Sequence, residues 1–169
     1  ESDFPAFLEG ATPFVRGFAE ASDFKARAGQ ALAVPDAEGR LDMVLFGLGA
    51  GKDPMALRAL PAKLPAGTYQ LARLPAGVTA DQAALAFALG SYRFDRYRSR
   101  GGERPRLVAP EADLAEVLQV SHACALARDM VNTPANDLGP LQIETIAREI
   151  AEQFGASISV IVGDDLLDQ

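Results

Sequence analysis

The sequence is poor in residues that carry chemistry or cross-links: its 169 residues include no tryptophan, one histidine and one cysteine. A single cysteine, Cys124, excludes a disulfide within the chain and is typical of a protein from a reducing compartment. No apolar run approaches the roughly 20 residues that a helix needs to cross a bilayer. The first residues, ESDFPAFLEG, lack the basic region and apolar run of a secretory signal. We therefore expect a cytoplasmic protein with no membrane partner.

The chain also has fewer basic residues than acidic residues. Sixteen lysines and arginines stand against 23 aspartates and glutamates, which gives a net charge of −7. Because such a chain repels polyanions, nucleic acid is not an expected partner. Hydrophobic residues make up 49% of the sequence and charged residues 23%, the composition of a folded globular protein.

Short apolar segments predict the strands. Segments 30–35, 41–47 and 67–73 are bounded by glycine, proline and polar residues, and 105–110 is either a strand or an extended link. Between them, 53–60 has the composition of a short helix. Residues 1–23 are ambiguous because prolines interrupt any helical period.

A stronger helix signal begins at Thr79, which forms a capping-box pattern with Gln82. Apolar residues then recur at roughly helical spacing, namely Ala83, Leu85, Ala86, Leu89, Tyr92 and Phe94. Strands that alternate with helices predict the α/β class.

The longest helical pattern covers 111–132 and stops where Pro134 disfavours helical geometry at Thr133. Its aligned positions are Leu114, Val117, Leu118, Ser121, Cys124 or Ala125, and Arg128. Pro140 favours a new helix, which Gly155 is placed to cap. The apolar face of that helix consists of Ile143, Ile146, Ala147, Ile150 and Phe154.

After this helix, the alternation in SISVIV predicts a strand at 157–162, and GDDLLDQ begins as a helix would. A long helix, a turn rich in proline and glycine, and a new helix–strand–helix start indicate a connector that leads into a second domain. Gln169 is not a natural place for that domain to stop.

Three stretches carry a resemblance to a known family. ARDMVNTPANDLGP (127–140) closely resembles the entry to the catalytic domain of the leucyl aminopeptidases, also called cytosol aminopeptidases. LGSYRFDRYRS (89–99) and LDMVLFGLG (41–49) resemble two earlier stretches of that family, in the same order and with similar spacing. The resemblance spans roughly residues 30–169.

The resemblance implies a two-domain metallopeptidase that removes N-terminal residues from peptides. Residues 1–110 would be a small N-terminal α/β domain with a macro-domain-like mixed sheet and flanking helices. Residues 111–132 would be a connector helix, and 133–169 the beginning of the catalytic α/β domain. Members of the family are homohexamers that use two divalent metal ions, zinc, manganese or magnesium.

The family's metal ligands and catalytic residues lie beyond the equivalent of residue 169. The resemblance therefore assigns no catalytic, metal-binding or cofactor-binding residue to this chain, and we expect the chain alone to be inactive and to hold no cofactor. The stretch 127–140 is interpreted as a hinge between domains, in which Asn132 and Asn136 bond backbone groups freed at the helix end. The alternative to this structural role is that the stretch contacts a ligand directly.

Two other patterns suggest a metal site and a nucleotide site, but the residues of neither pattern meet the requirements of such a site. His122 and Cys124 are two positions apart, which places them on different faces of a helix, so they do not form a metal site. GLGAGKD (47–53) follows a strand as a phosphate loop does, but the Walker pattern fails at Phe46 and Asp53 and the dinucleotide pattern at Lys52. We interpret it as a tight turn.

Two charged segments leave alternatives open. Segment 93–106 holds six arginines against Asp95 and Glu103, a local charge of +4. We interpret it as a solvated surface or a contact with a neighbouring subunit, and DNA binding is the alternative. The acidic residues near the end are interpreted as helix capping rather than as metal ligands, namely Asp164, Asp165 and Asp168.

A second reading of the whole chain belongs to another class of protein. The chain could be a stand-alone interaction or regulatory module that binds a macro-like ligand or DNA. The reading frame after Gln169 discriminates between the two: a lysine-, aspartate- and glutamate-rich continuation favours the enzyme, and a stop codon favours the module.

Overall fold

The computed structural model describes residues 3–51, 53–74, 77–98 and 101–168. The chain divides into two compact units, the first ending at Ala125 and the second beginning at Leu126. No helix within the described ranges is long and apolar enough to cross a membrane.

The first unit opens with two short helices, α1 (Phe4–Gly10) and α2 (Pro13–Ala21). The Thr12 hydroxyl accepts the N–H of Val15 at 3.3 Å, and Pro13 takes the first helical position, where no N–H is needed. These local caps explain how helices form in a segment whose prolines obscure the apolar period.

The two strands predicted at 30–35 and 41–47 form a hairpin. Strands β1 (Ala31–Pro35) and β2 (Leu41–Phe46) pair antiparallel, with Leu32 opposite Leu45. The described residues of the first unit form two cores, and both leucines pack on the one formed by Ala19, Phe24 and Ala26. The hairpin is thereby held against α2.

The second strand pair is parallel. Strands β3 (Gly67–Gln70) and β4 (Pro105–Val108) place Tyr69 opposite Leu107, and both are shorter than the predicted 67–73 and 105–110. A parallel pair needs a long crossover connection, which here contains α3 (Ala80–Gly90).

The capping box at the start of α3 is confirmed. The Thr79 hydroxyl accepts the N–H of Gln82 at 3.2 Å, and the Gln82 side chain accepts the N–H of Thr79 at 3.1 Å. The predicted extension of the helix to Tyr92 and Phe94 is wrong. The helix ends at Gly90, and the Ser91 hydroxyl donates to the Phe87 carbonyl at 2.8 Å, which satisfies a terminal acceptor.

The helix predicted at 53–60 is two 3₁₀ turns, Ala56–Ala59 and Pro61–Lys63. Pro61 has no N–H with which to continue the first turn as an α-helix. The turns bury Leu57 and Leu60 in the other core of the first unit, together with Ala83, Ala86 and Phe87 of α3.

The long helix α4 (Leu114–Asn132) begins three residues later than predicted. The Asp113 side chain accepts the N–H of Ala115 at 3.1 Å and of Glu116 at 3.2 Å, so it caps the helix. The Asp113 N–H in turn donates to a carboxylate oxygen of Asp81 at 2.7 Å, which ties the starts of α3 and α4 together.

The predicted aligned face of α4 is only partly buried. Val117 is buried, whereas Leu114 and Leu118 are each 48% exposed. The helix runs across the division between the two units at Ala125.

The second unit contains the end of α4, a turn and α5 (Pro140–Phe154), and α5 begins at Pro140 as predicted. The N–H groups of Asp137 and Leu138 both donate to the carbonyl of Pro134, which closes the turn. Gly155 ends α5 in the left-handed conformation with φ of 64°, as a C-terminal glycine cap should.

The predicted strand at 157–162 does not form within the described part of the chain. A strand is stabilised by hydrogen bonds to a neighbouring strand, and the described part of the second unit has no other strand to supply them. The residues of this segment are exposed instead. The end of the chain forms a 3₁₀ helix (Gly163–Asp168) rather than the α-helix that GDDLLDQ suggested.

The α/β class is confirmed. The mixed sheet that was predicted contains both parallel and antiparallel strand pairs, and both kinds of pair occur. Among the described residues, however, they form two separate two-stranded sheets, β1–β2 (antiparallel) and β3–β4 (parallel).

Candidate functional site

The described residues hold no group of three or more histidine, cysteine, aspartate and glutamate side chains arranged to bind a metal ion. His122 is exposed and Cys124 half-buried on α4. Their side chains meet no third donor that would make them a site, so the residues described do not fit a two-metal centre.

The glycine turn after β2 bonds to the protein's own backbone. The N–H of Gly47 donates to the Gln30 carbonyl at 2.7 Å, and the N–H of Gly49 donates to the Ala26 carbonyl at 3.0 Å. A phosphate loop needs its amides free to point at the ligand. Because these two amides are already bonded, the interpretation as a structural turn fits the geometry better than a nucleotide site.

Close approach explains why this turn contains glycine. A Cβ on Gly47 would lie 2.2 Å from the carbonyl oxygen of Arg27, which is far inside any allowed contact. The backbone of 26–30 therefore packs directly on the turn.

Gln30 organises the other side of this contact. Its side-chain amide donates to the Asp23 carbonyl at 2.9 Å, and its oxygen accepts the N–H groups of Lys25 at 2.9 Å and Arg27 at 3.3 Å. The loop includes Ala26 at φ of 53°, a conformation that is uncommon outside glycine. Sequence reasoning missed Gln30, because a glutamine at the edge of a predicted strand carries no local signal of this role.

The stretch 127–140 is held by Thr133, which the sequence marked only as the end of a helix. Thr133 is buried, and both its hydroxyl and its N–H donate to the Asp129 carbonyl, at 2.6 and 2.9 Å. The bonds expected from Asn132 and Asn136 to backbone groups freed at the helix end, some of them carbonyls, stay a prediction. The threonine preceding the proline satisfies one of them in the last turn of α4.

The arginine-rich segment forms an exposed charged surface. Arg104 pairs with Asp95, and the Arg96 guanidinium lies 5.9 Å from the centre of the Tyr97 ring. The Phe94 ring meets the Tyr97 ring edge-on at 5.8 Å. Arg100 lies outside the described residues. The exposed side chains of this arginine surface are Arg93, Arg96, Tyr97, Arg98, Arg104 and Arg106.

The interpretation of the acidic residues near the end as helix capping stays a prediction. Asp164 and Asp165 are in the first turn of the 3₁₀ helix and are exposed. The side chain of Asp168 lies outside the described residues. The described side chains bring no third donor to these two carboxylates, and two carboxylates alone do not make a metal site.

A family model for the N-terminal domain of M17 aminopeptidases matches residues 1–110. The probable cytosol aminopeptidase of Bradyrhizobium sp. (strain BTAi1 / ATCC BAA-1182) is 30% identical over 181 residues, which cover 91% of this chain and 36% of the relative.

Solved structures give similar coverage. The crystal structure of the cytosol aminopeptidase from Coxiella burnetii is 31% identical and superimposes with a TM-score of 0.90, covering 99% of this chain and 37% of that one. The bottromycin maturation enzyme BotP, solved in complex with Mn, is 36% identical with a TM-score of 0.73 and covers 89% of this chain and 36% of that one. This chain thus spans little more than a third of these relatives.

Proposed function

Since the chain belongs to the M17 aminopeptidase family, we propose that it is the N-terminal part of a metal-dependent leucyl aminopeptidase. The observation that carries this proposal is the superposition of nearly the whole chain on the cytosol aminopeptidase of Coxiella burnetii. The match of residues 1–110 to the family's N-terminal domain agrees with it. The complete protein would release N-terminal amino acids from peptides.

The proposed division of the chain has three parts. Residues 1–110 are the N-terminal domain, 111–132 a connector helix that corresponds to α4, and 133–169 the beginning of the catalytic domain. Bonding at Pro134 and Thr133 supports a defined turn between the last two parts.

The proposed metal pair is supplied by the rest of the protein. BotP was solved with Mn, which supports a divalent metal in the complete enzyme, with zinc as the other candidate. The donor atoms of the described residues do not fit such a pair. We therefore expect this chain to be inactive by itself.

The second unit exposes apolar side chains, and this exposure supports the proposal that the rest of the catalytic domain packs against them. Ile143, Ile150 and Phe154 lie on one face of α5 and are exposed, as are residues 158–162. Apolar surface of this extent is normally covered in a folded protein. The remainder of the catalytic domain would cover it, and 157–162 would become a strand by pairing with a strand of that remainder.

The proposed enzyme is cytoplasmic and forms homo-oligomers, as the hexamers of the resembled family do. The matched relatives are named cytosol aminopeptidases, which supports the location.

The test is a chimera in which residues 1–169 replace the matching part of the Coxiella burnetii cytosol aminopeptidase. We expect it to release leucine from a chromogenic leucyl substrate, to lose activity with a chelator and to regain it with Mn²⁺ or Zn²⁺. The 169-residue chain should show no activity and no stoichiometric metal binding by calorimetry. A chimera that folds by circular dichroism but is inactive with every metal would contradict the proposal, as would activity of the isolated chain.

A further inference from the structure

The first turn of α3 carries an acidic side chain that bonds outside its own helix. An acidic residue such as Asp81 is common in a first turn because it complements the helix dipole. Here the capping box already serves the helix end, since the Thr79 hydroxyl accepts the N–H of Gln82. Asp81 instead accepts the N–H of Asp113, 32 positions further along the chain, at 2.7 Å. The Asp81 carboxylate therefore has a role beyond α3.

Asp113 uses its three polar groups to join α4 to the rest of the first unit. Its side chain accepts the N–H groups of Ala115 and Glu116, and its carbonyl accepts the N–H of Val117 at 3.0 Å. Its own N–H points the other way, to Asp81. Because the first turn of α4 is bonded to Asp113, a displacement of the Asp113 backbone displaces that turn as well.

The α3 side of this bond is fixed by packing. Ala83, Ala86 and Phe87 of α3 are buried in the core that they share with the 3₁₀ turns. Side chains in a close-packed core have little freedom to shift. Asp81 lies two residues before Ala83 on the same helix, so its carboxylate is held on a backbone that does not move freely.

Packing does much less to fix α4. All residues of α4 are described, and Val117 alone among them is buried. Leu114 and Leu118 on either side of it are each 48% exposed. A helix that is held at one buried residue can pivot about that residue, and the bond from Asp81 to Asp113 supplies a second point of attachment. Two points restrict the direction of a helix axis more than one point does.

We propose that Asp81 is a positioning residue whose carboxylate sets the direction in which α4 leaves the first unit. Because α4 is one continuous helix past Ala125, this direction sets the path on which the chain enters the second unit. The consequence for the complete enzyme, in which Asp81 would help to place the catalytic domain, rests on the proposed function. The bond and its effect on α4 do not, and both can be measured in this chain alone.

Two substitutions separate the hydrogen bond from the charge. Asp81→Ala removes both the acceptor and the negative charge, whereas Asp81→Asn keeps an acceptor oxygen and removes only the charge. If Asp81 acted only through the dipole of α3, the two variants would behave alike. If it positions α4 through the bond to Asp113, the asparagine variant should behave like the parent chain.

The first measurement is amide hydrogen exchange of Asp113, followed by NMR in the 169-residue chain. In Asp81→Ala we expect this amide to exchange about tenfold faster than in the parent, the ratio that a net hydrogen-bond contribution of ~1.4 kcal/mol produces. In Asp81→Asn the exchange should stay close to that of the parent. The amide of Val117 should keep its protection in both variants, because its acceptor is the unchanged Asp113 carbonyl.

The second measurement reports the direction of α4. Nitroxide labels are placed at Thr68→Cys in β3 and Ala123→Cys in α4, both exposed positions of the first unit, with Cys124→Ser to remove the native thiol. Pulsed electron–electron double resonance then gives the distribution of label distances. We expect the distribution of Asp81→Ala to broaden or shift relative to the parent, and that of Asp81→Asn to match the parent.

The matched control is Glu111→Ala, which removes an equal charge from an exposed position two residues before Asp113. It should match the parent in both measurements. If circular dichroism shows Asp81→Ala to be misfolded, Asp81→Ser takes its place, because the shorter hydroxyl cannot reach the Asp113 N–H.

Three results would overturn the proposal. One is unchanged exchange of Asp113 in Asp81→Ala, and another is an Asp81→Asn variant that behaves like Asp81→Ala. The third is faster exchange of Asp113 with an unchanged distance distribution, which would show that the packing of Val117 alone fixes α4.

Discussion

Single side chains set the geometry of the turns in the first unit, and Asp36 is the clearest case. One of its carboxylate oxygens accepts the N–H groups of Glu38 at 3.0 Å and Arg40 at 2.8 Å, and the other pairs with the Arg40 guanidinium at 2.9 Å. Burial by itself would raise the pKa of Asp36, but the hydrogen bonds from Arg40 and Glu38 outweigh it and lower that pKa.

This lowered pKa predicts a specific acid sensitivity of the hairpin. A carboxylate with a depressed folded-state pKa contributes stability above its ordinary value of about 3.9, and that stability is lost as pH falls through the folded pKa. Asp36→Asn keeps the acceptor oxygen but cannot ionise, so its Tm should fall less than that of the parent between pH 5 and pH 2. Asp42→Asn, an exposed change in the same hairpin, is the control. Identical acid profiles for Asp36→Asn and the parent would contradict this assignment.

Gly47 shows how a single missing Cβ allows two backbone segments to meet. Because an added Cβ would lie 2.2 Å from the Arg27 carbonyl oxygen, Gly47→Ala must push the two segments apart. We expect a loss of about 1–3 kcal/mol in the free energy of unfolding, measured by urea denaturation. Gly17→Ala lies inside α2 with open space around it and should instead stabilise by roughly 0.5–1 kcal/mol. Equal effects of the two changes would refute the close-approach argument.

At the scale of secondary structure, elements with local signals were predicted and elements that need distant partners were not. The capping box at Thr79, Pro134 and Gly155 act within a few residues, so one boundary of each of α3, α4 and α5 could be read from the sequence. The strand at 157–162 depends on a neighbouring strand, and its alternating pattern alone does not form one. The role of Gln30 depends on contacts up to seven residues away and left no pattern to read.

For the whole molecule, the family was recognisable from three short stretches, and that resemblance is confirmed by the family model and by the relatives. The chemistry was not readable from this chain, because a metal pair needs several converging donors and the described residues bring no such group together. The function therefore came from the resemblance, whereas the fold class came from the pattern of strands and helices.

Two exposed segments on the C-terminal side of α4 predict where a protease cuts the chain. Residues 134–137 are exposed in the turn after α4, and 156–162 are exposed without strand pairing, whereas 114–132 form one continuous helix. Proteases cut exposed segments that can unfold locally, and they cut helices poorly. Brief digestion with proteinase K, followed by mass spectrometry, should first cleave within 134–137 and 156–162 and leave 114–132 intact. The chimera, in which the rest of the catalytic domain can cover 156–162, is the control and should resist cleavage there. Early cleavage spread over 114–132 would show that α4 is not formed in solution, and the interpretation of 127–140 as a hinge would fail.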